Sequence, residues 1–365
     1  YNEEDNASIT SGCVCNCRSC LNFLRISSSS TLHPSIYGKF LVLSLWRIIY
    51  FYILKLISNV KGELQMKVGI DLGGSHIAIG VVDSRGVIIE KIEKRLKNAE
   101  KRTIEKSIEE YIIENAKLLM KKYKISEIGI AIPGTVNDDK VIKSVNLGLE
   151  NYEIVKKLKS KIQVPIKIRN DAKCAAIAEN TYGCLKSYNR SIFLTLGTGI
   201  GGAVIINNKL LDTGNLPGCE IGHMSIEKDG ILCKCGRKGC FEKYASMKIL
   251  KDNLRKALGY DEKVSGKELF EIIRSNTPES KNYDIIEKIL KQYIEDLSIG
   301  IANLINIFEP EAIGIGGSFV YFEEVLLNRL KTEIISKNIL FNPRENIIVK
   351  TAILENDAGV IGATL

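Results

Sequence analysis

The sequence predicts an α/β protein of two similar lobes that face a central cleft. Short apolar segments that end in glycine or aspartate alternate with amphipathic segments at helical spacing. A unit made of a strand, a glycine turn and a second strand begins at Met66 and recurs about 125 positions later. The chain has 365 residues, 45% of them hydrophobic, which is enough to bury a core in each lobe.

The first 65 residues differ in character from the rest of the chain. They hold four closely spaced cysteines, a run of serines, and an apolar run at 36–57 that three cations interrupt. The segment 61–63 (KGE) can be encoded with AAGGAG, a bacterial ribosome-binding sequence, and two codons separate it from Met66. We therefore expect residues 1–65 to be a translated upstream leader outside the fold. The alternative is a membrane anchor, although each internal cation costs about 2.5 kcal/mol near a bilayer centre.

The elements of the two lobes follow from their periodicity. We expect the N-terminal lobe over residues 66–185 and the C-terminal lobe over 186–365. The first lobe is predicted to contain strands at KVGIDLGG (67–74), SHIAIGVVD (75–83), VIIEKIEK (87–94), EIGIAIPG (127–134) and VPIKIRND (164–171), with helices over about 101–123 and 172–183. The second is predicted to contain a strand, glycine turn and strand at 190–211, helices over about 242–258, 266–275 and 283–308, and strands at 311–318 and 347–354.

A loop at 219–242 has the composition of a structural zinc site. His223 precedes Cys233, Cys235 and Cys240, and three thiolates with one imidazole suit tetrahedral zinc. Such a closed site has no open position for chemistry, so we expect it to shape the loop. The alternative is a set of reduced surface thiols. Glu220 and Glu242 flank the cluster, and they are either ligands for a polyhydroxylated molecule or solvated surface glutamates.

Three glycine turns indicate a nucleotide site. They are DLGGS at 71–75, LGTGIGG at 196–202 and GIGGS at 314–318. Glycine lets backbone N–H groups approach a phosphate, and Asp71 can hold a magnesium ion directly or through water. The second turn is neither a Walker loop nor a Rossmann fingerprint, because no Lys-Ser/Thr follows and the glycines lead into a strand. Taken alone, the first turn could also be an ordinary hairpin.

Asp171 stands between a predicted strand and a predicted helix. An aspartate at such a junction is often just the N-cap of the helix. The alternative is a general base that takes the proton of a substrate hydroxyl as its oxygen attacks a γ-phosphate. The local sequence leaves both interpretations open.

From Met66 onward the chain resembles the ROK family of sugar kinases and repressors. The motifs that carry the resemblance are DLGGS, PG…NLGL, NDA, GTGIGGA, GCEIGH and CKCGRKGC-FE, in the order and spacing of the family. The resemblance implies two ribonuclease-H-like lobes of the actin/hexokinase-like fold. It also implies transfer of the ATP γ-phosphoryl group to the 6-hydroxyl of a hexose, with glucose as the default substrate.

The resemblance implies a role for each motif. Asp171 would be the catalytic base. The residues implied to contact the sugar are Gly134, Asn146, Asn170, Asp171, Glu220, His223 and Glu242. Those expected around ATP and Mg²⁺ are Asp71, Gly73, Gly74, Ser75, Thr198, Gly199, Gly316 and Gly317. The structural Zn²⁺ would be held by His223, Cys233, Cys235 and Cys240.

Composition and family limit the partners. The net charge of +8 is mild, and no basic stripe interleaves with aromatic residues, so we expect no nucleic-acid partner. A ROK-type repressor is the alternative function, but residues 1–65 do not resemble the winged helix-turn-helix of those relatives. Fructose, mannose, N-acetylmannosamine and N-acetylglucosamine are alternative substrates. We expect a cytoplasmic homodimer without membrane attachment, because unpaired cysteines suit a reducing compartment and dimers are common in the family.

Overall fold

The computed structural model describes residues 65–74, 76–95, 101–211, 219–336, 339–342 and 348–365. Of the predicted leader only Gln65 falls within these ranges, so that interpretation stays a prediction. The boundary between lobes at residue 185 also stays a prediction. Within the described ranges, no helix is long and apolar enough to cross a membrane.

The strands of the described residues are short and close to those expected. In chain order they are β1 (Met66–Leu72), β2 (His76–Val82), β3 (Ile88–Arg95), β4 (Ile125–Ile132), β5 (Thr135–Val136), β6 (Val141–Ser144), β7 (Leu149–Tyr152), β8 (Ile166–Asn170), β9 (Arg190–Leu196), β10 (Ile200–Ile206), β11 (Lys209–Leu210), β12 (Ala312–Gly317) and β13 (Ile348–Thr351).

The α-helices of the same ranges fill the remaining segments. They are α1 (Lys101–Lys122), α2 (Ile154–Lys159), α3 (Asp171–Thr181), α4 (Glu242–Ala245), α5 (Met247–Leu258), α6 (Gly266–Arg274), α7 (Tyr283–Phe308), α8 (Glu323–Ser336) and α9 (Ala358–Ala363). Short 3-10 turns lie at Ile221–His223, Val320–Phe322 and Glu355–Asp357.

Two five-stranded sheets repeat one topology. The first has the order β3-β2-β1-β4-β8 and the second the order β11-β10-β9-β12-β13. In each, the first three strands are antiparallel and the last two run parallel to the strand beside them. The predicted internal repeat is therefore confirmed, and so is the α/β class.

Each sheet has its own apolar core. On the first sheet, the buried side chains of β1 pack with Ile108, Ile112 and Leu119 of α1, at the helical spacing seen in the sequence. On the second sheet, the inward side chains of β9 and β12 pack with those of α5, α7 and α8.

The last helix crosses back to the first sheet. Helix α9 packs on β1, β4 and α3. A Cβ placed on Gly69 would lie 1.9 Å from the Val360 carbonyl oxygen, and one on Gly129 would lie 1.6 Å from that of Ala363. Both glycines are therefore required, because only a bare backbone lets the helix lie this close to the sheet.

The structure differs from the expected elements in four places. Residues 135–152, for which no strand was predicted, form the three-stranded antiparallel sheet β5-β6-β7. The helix expected over 242–258 is divided at Ser246, whose extended backbone and hydroxyl cap the start of α5. Strand β13 is shorter than the expected 347–354. Helix α9 was not predicted at all.

Candidate active site and metal centre

At the strand-to-helix junction 170–171, the structure shows which residue caps the helix, a point that the sequence left open. Asn170 is the N-cap of α3, and its Oδ1 accepts a hydrogen bond from the Lys173 backbone N–H at 3.1 Å. Asp171 is the first helical residue, so the interpretation of Asp171 as the N-cap is wrong. The Asn170 amide donates to the Gly134 carbonyl oxygen at 3.0 Å. This bond joins the end of β8 to the turn after β4.

The carboxyl group of Asp171 lies at the start of α3 and is held there by a backbone hydrogen bond. Its Oδ1 accepts the Ala172 backbone N–H at 2.8 Å, which fixes the side chain beside the helix start. Burial raises the pKa of Asp171 above its usual value, and the hydrogen bond from Ala172 offsets part of that rise. A raised pKa brings a carboxylate closer to the basicity that proton transfer near neutral pH requires.

Asp71 lies within electrostatic range of Asp171. Burial, followed by the negative charge of Asp171, raises the pKa of Asp71 to about 7, and Lys91 opposes the rise. The two residues stand at the carboxyl ends of β1 and β8, which are parallel strands of one sheet. Two such carboxylates ionise together more readily when a cation sits between or beside them. The chemistry of this pair therefore fits a magnesium ion.

The first glycine turn lies beside a predicted sugar ligand. The Gly73 N–H donates to the His76 carbonyl oxygen at 2.8 Å and closes the β1–β2 hairpin. A Cβ on Gly74 would meet the Asn146 side chain at 3.5 Å. Asn146, which is exposed, therefore stands next to the turn expected to hold phosphates. Ser75 lies outside the described residues, so its role stays a prediction.

The second and third glycine turns meet at neighbouring strand ends. Gly317 pairs with Leu196 in the parallel β9–β12 ladder, and its φ is +72°. A Cβ there would lie 2.6 Å from the Leu196 carbonyl oxygen, which explains the glycine. Thr198 and Gly199 follow β9, while Gly316 and Gly317 end β12. The structure thus brings these four predicted nucleotide ligands to one edge of the second sheet.

A groove of about 520 Å³ opens just beyond the third glycine turn. It lies between α6, the 3-10 turn at Val320–Phe322 and the first turns of α8. Its lining combines apolar side chains with two carboxylates and an amide: Phe270, Val320, Tyr321, Glu323, Glu324, Leu327 and Asn328. Sequence reasoning missed this groove, because its walls come from segments that are about 50 residues apart.

The four predicted metal ligands converge. The ligand atoms of His223, Cys233, Cys235 and Cys240 all lie within 4.8 Å of one another. His223 Nδ1 is 3.7 Å from Cys233 Sγ, and Cys235 Sγ is 3.6 Å from Cys240 Sγ. In a tetrahedral site with zinc–sulfur bonds of about 2.3 Å, two sulfur ligands lie about 3.8 Å apart. The donor set and its spacing therefore fit one zinc ion.

Two of the three cysteine thiols in the cluster are buried, which makes a bound metal ion favourable. Cys233 and Cys240 are buried, whereas Cys235 is exposed. Burial raises the pKa of the Cys233 thiol well above its usual value, and this thiol donates to Glu242 Oε1 at 3.2 Å. A zinc ion at the centre of the cluster would deprotonate the thiols and remove that cost of burial.

We expect the protein to be purified with about one zinc ion per chain, because the cluster is complete. Cys240→Ser should lose most of that zinc, since a buried hydroxyl is a poor substitute for a thiolate. Mass spectrometry of the metal checks this. Cys219→Ser is the matched control, since Cys219 lies outside the cluster, and it should keep its zinc. Full zinc retention in Cys240→Ser would contradict the assignment.

One predicted sugar ligand, Glu220, lies within electrostatic range of Asp171 and of two further predicted ligands, His223 and Glu242. The pKa of Glu220 is raised by desolvation and by Asp171 and Glu242, while His223 and Lys173 oppose the rise. These four groups therefore each lie within electrostatic range of Glu220. Lys173 was not among the predicted site residues. Its place in the first turn of α3 brings a cation to this group of carboxylates.

Two sheets of one strand order, with glycine turns at the ends of their central strands, define the actin/hexokinase-like class of α/β proteins. The chain belongs to the ROK family, because the model of that family matches residues 67–365.

Relatives in this family have two kinds of function. The chain is 30% identical over 275 residues to a xylose repressor of Bacillus spizizenii, covering 74% of this chain and 68% of the repressor. It is 28% identical over 313 residues to a glucokinase of Thermotoga maritima, covering 81% of this chain and 95% of the glucokinase. A Streptomyces griseus ROK family glucokinase, solved with glucose and AMPPNP, superposes with a TM-score of 0.69 at 26% identity, covering 82% and 97% of the two chains.

Proposed function

We propose that the protein is an ATP-dependent sugar kinase that phosphorylates the 6-hydroxyl of a hexose, with glucose as the first candidate. One observation carries the proposal. Asp171 lies within electrostatic range of both Asp71 and Glu220. One carboxylate is therefore coupled both to a group suited to a metal-bound phosphate and to a group suited to sugar hydroxyls.

In this proposal, the residues of the chain position the sugar and accept its proton. The sugar hydroxyls donate hydrogen bonds to the carboxylates of Glu220 and Glu242 and exchange hydrogen bonds with the amides of Asn146 and Asn170. The 6-hydroxyl faces Asp171. Asp171 takes the hydroxyl proton as the oxygen attacks the γ-phosphorus, and the bond from phosphorus to the ADP oxygen breaks. The three glycine turns donate backbone N–H groups to the phosphate oxygens.

The proposal gives different roles to two metal ions. A Mg²⁺ ion held near Asp71 would neutralise phosphate charge. A zinc ion in the cysteine cluster would be structural. It would fix His223 and, through the same loop, Glu220 and Glu242 in front of Asp171.

A sugar-responsive repressor is the second candidate, since the xylose repressor is similarly close in sequence. The kinase is favoured because Asp171, the carboxylate expected to act as base, is present at the start of α3. We further propose a homodimer, which light scattering of the purified protein would test.

A panel assay tests the proposal. ADP release is followed by coupled assay with glucose, mannose, fructose, N-acetylglucosamine, N-acetylmannosamine and xylose, in Mg²⁺ and ATP. At least one hexose should support turnover. Xylose has no 6-hydroxyl, so it should inhibit competitively without being phosphorylated at that position. Sugar binding without ADP release on any sugar would support the repressor instead.

A further inference from the structure

The second glycine turn is tied to the segment that follows the zinc cluster. The Lys248 backbone N–H, in the first turn of α5, donates to the Gly197 carbonyl oxygen at 3.0 Å. A Cβ on Gly199 would lie 2.6 Å from Glu242 Oε2, so the carboxylate rests directly against the turn. The turn therefore contacts α5 at Gly197 and α4 at Gly199.

Glu242 reaches the cluster with its other oxygen. Glu242 Oε1 lies 3.2 Å from Cys233 Sγ and 3.9 Å from His223 Nδ1. One carboxylate thus spans the distance between the candidate metal centre and the candidate phosphate turn. The helix that carries it cannot move freely, because Phe241, Ala245 and Met247 around it are completely buried.

We propose that Glu242 is a positioning residue for the second glycine turn, so that binding of the acceptor sugar and binding of the nucleotide favour each other. This inference rests on the proposed kinase function and goes beyond it. It concerns how the two substrates communicate rather than which atoms react.

Electrostatics supply the reason for the coupling. An anionic carboxylate next to Gly199 opposes the approach of phosphate oxygens to the same turn. Sugar hydroxyls that donate to Glu242 spread its charge and hold it in one position. The turn then accepts phosphates at a lower cost. By thermodynamic linkage, the nucleotide must improve sugar binding by the same factor.

Calorimetry with AMP-PNP and Mg²⁺ measures this coupling. The titration is run without sugar and with a saturating concentration of the best sugar from the panel. In the wild type, sugar should lower the Kd of AMP-PNP by at least about fivefold, the lower end of common coupling factors. In Gly199→Ala, the methyl group displaces the Glu242 carboxylate, and the effect of sugar should fall below about twofold.

Two further variants separate positioning from a general disturbance of the turn. Gly197→Ala adds a methyl group to the same turn where nothing lies within 4 Å, so the coupling should persist. Glu242→Gln removes the charge, so AMP-PNP without sugar should bind more tightly than to the wild type. Zinc content is measured for every variant, and it should match the wild type in Gly199→Ala.

The outcomes are distinguishable. A wild type that turns over a sugar but shows no coupling overturns the inference alone. Undiminished coupling in Gly199→Ala, or equal loss in Gly197→Ala and Gly199→Ala, also overturns it. A wild type that neither binds AMP-PNP nor turns over any sugar overturns the proposed function, and this inference with it.

Discussion

Replacing Asp171 by asparagine is expected to lower kcat by about 10²- to 10⁴-fold, the usual contribution of a general base. The amide cannot take the proton of the sugar hydroxyl. It can still accept the Ala172 N–H, so the start of α3 should keep its geometry. Steady-state kinetics on the best sugar measure the loss. The KM values for sugar and ATP should change much less than kcat, because the variant keeps the shape of the site.

The pH profile gives an independent check. A general base acts only when it is deprotonated, and burial raises the pKa of Asp171. The kcat/KM of the wild type should therefore rise with pH as Asp171 loses its proton, and level off above its raised pKa. Asp71 has a pKa of about 7, and below that pH its proton competes with a metal ion. We therefore expect a further decrease in kcat/KM at acid pH, in addition to the one caused by Asp171.

An exposed aspartate in the loop after β5, Asp139, offers a matched control. Asp139→Asn removes the same charge at an exposed position outside the predicted site and should keep the activity of the wild type. Full activity in Asp171→Asn would show that another group accepts the proton, and it would remove the central residue from the proposed mechanism.

The largest loss of stability is expected from Glu179→Ala. Glu179, in α3, is completely buried. Its Oε1 accepts the N–H groups of Ile353 and Leu354 at 2.9 and 2.8 Å, and its Oε2 accepts that of Cys184 at 2.8 Å. Truncation leaves three backbone N–H groups without their acceptor, one in a buried bond and two in partly buried bonds, and each lost bond costs about 1–3 kcal/mol. We expect the free energy of unfolding to fall by about 3 kcal/mol or more, as measured by urea denaturation.

Glu179→Gln distinguishes lost hydrogen bonds from lost volume. Glutamine fills the same space but keeps only one acceptor oxygen. It should therefore destabilise the protein by less than Glu179→Ala does. A loss under about 1 kcal/mol in Glu179→Ala would mean that water or a shifted backbone satisfies the three donors.

The parts of the fold and site that the sequence predicted are those in which neighbours along the chain are also neighbours in space. The turn at Gly73-Gly74 closes onto His76, and Cys233 to Cys240 form one hairpin that carries three of the four candidate metal ligands. Long amphipathic helices such as α1 and α7 were predicted for the same reason, since the 3.6-residue period needs no distant partner.

The features that the sequence did not predict depend on residues distant in the chain or on backbone geometry. Helix α9 is a six-residue stretch of small and apolar residues with no amphipathic period, and its place is set by glycines in β1 and β4. The cap at the start of α3 belongs to Asn170 rather than Asp171, and only the backbone geometry shows which. The Lys248 N–H that holds the second glycine turn has no side-chain signature at all.

The return of α9 to the first sheet has a consequence for biosynthesis. During translation β1 and β4 leave the ribosome well before residues 358–363. Until those residues emerge, the face around Gly69 and Gly129 has no cover, so the first lobe cannot reach its final packing. The strands that are synthesised first therefore complete their packing only after a much later helix has been made. A nascent chain stalled before Ala358 would present an open apolar face to chaperones, however well its earlier strands had paired.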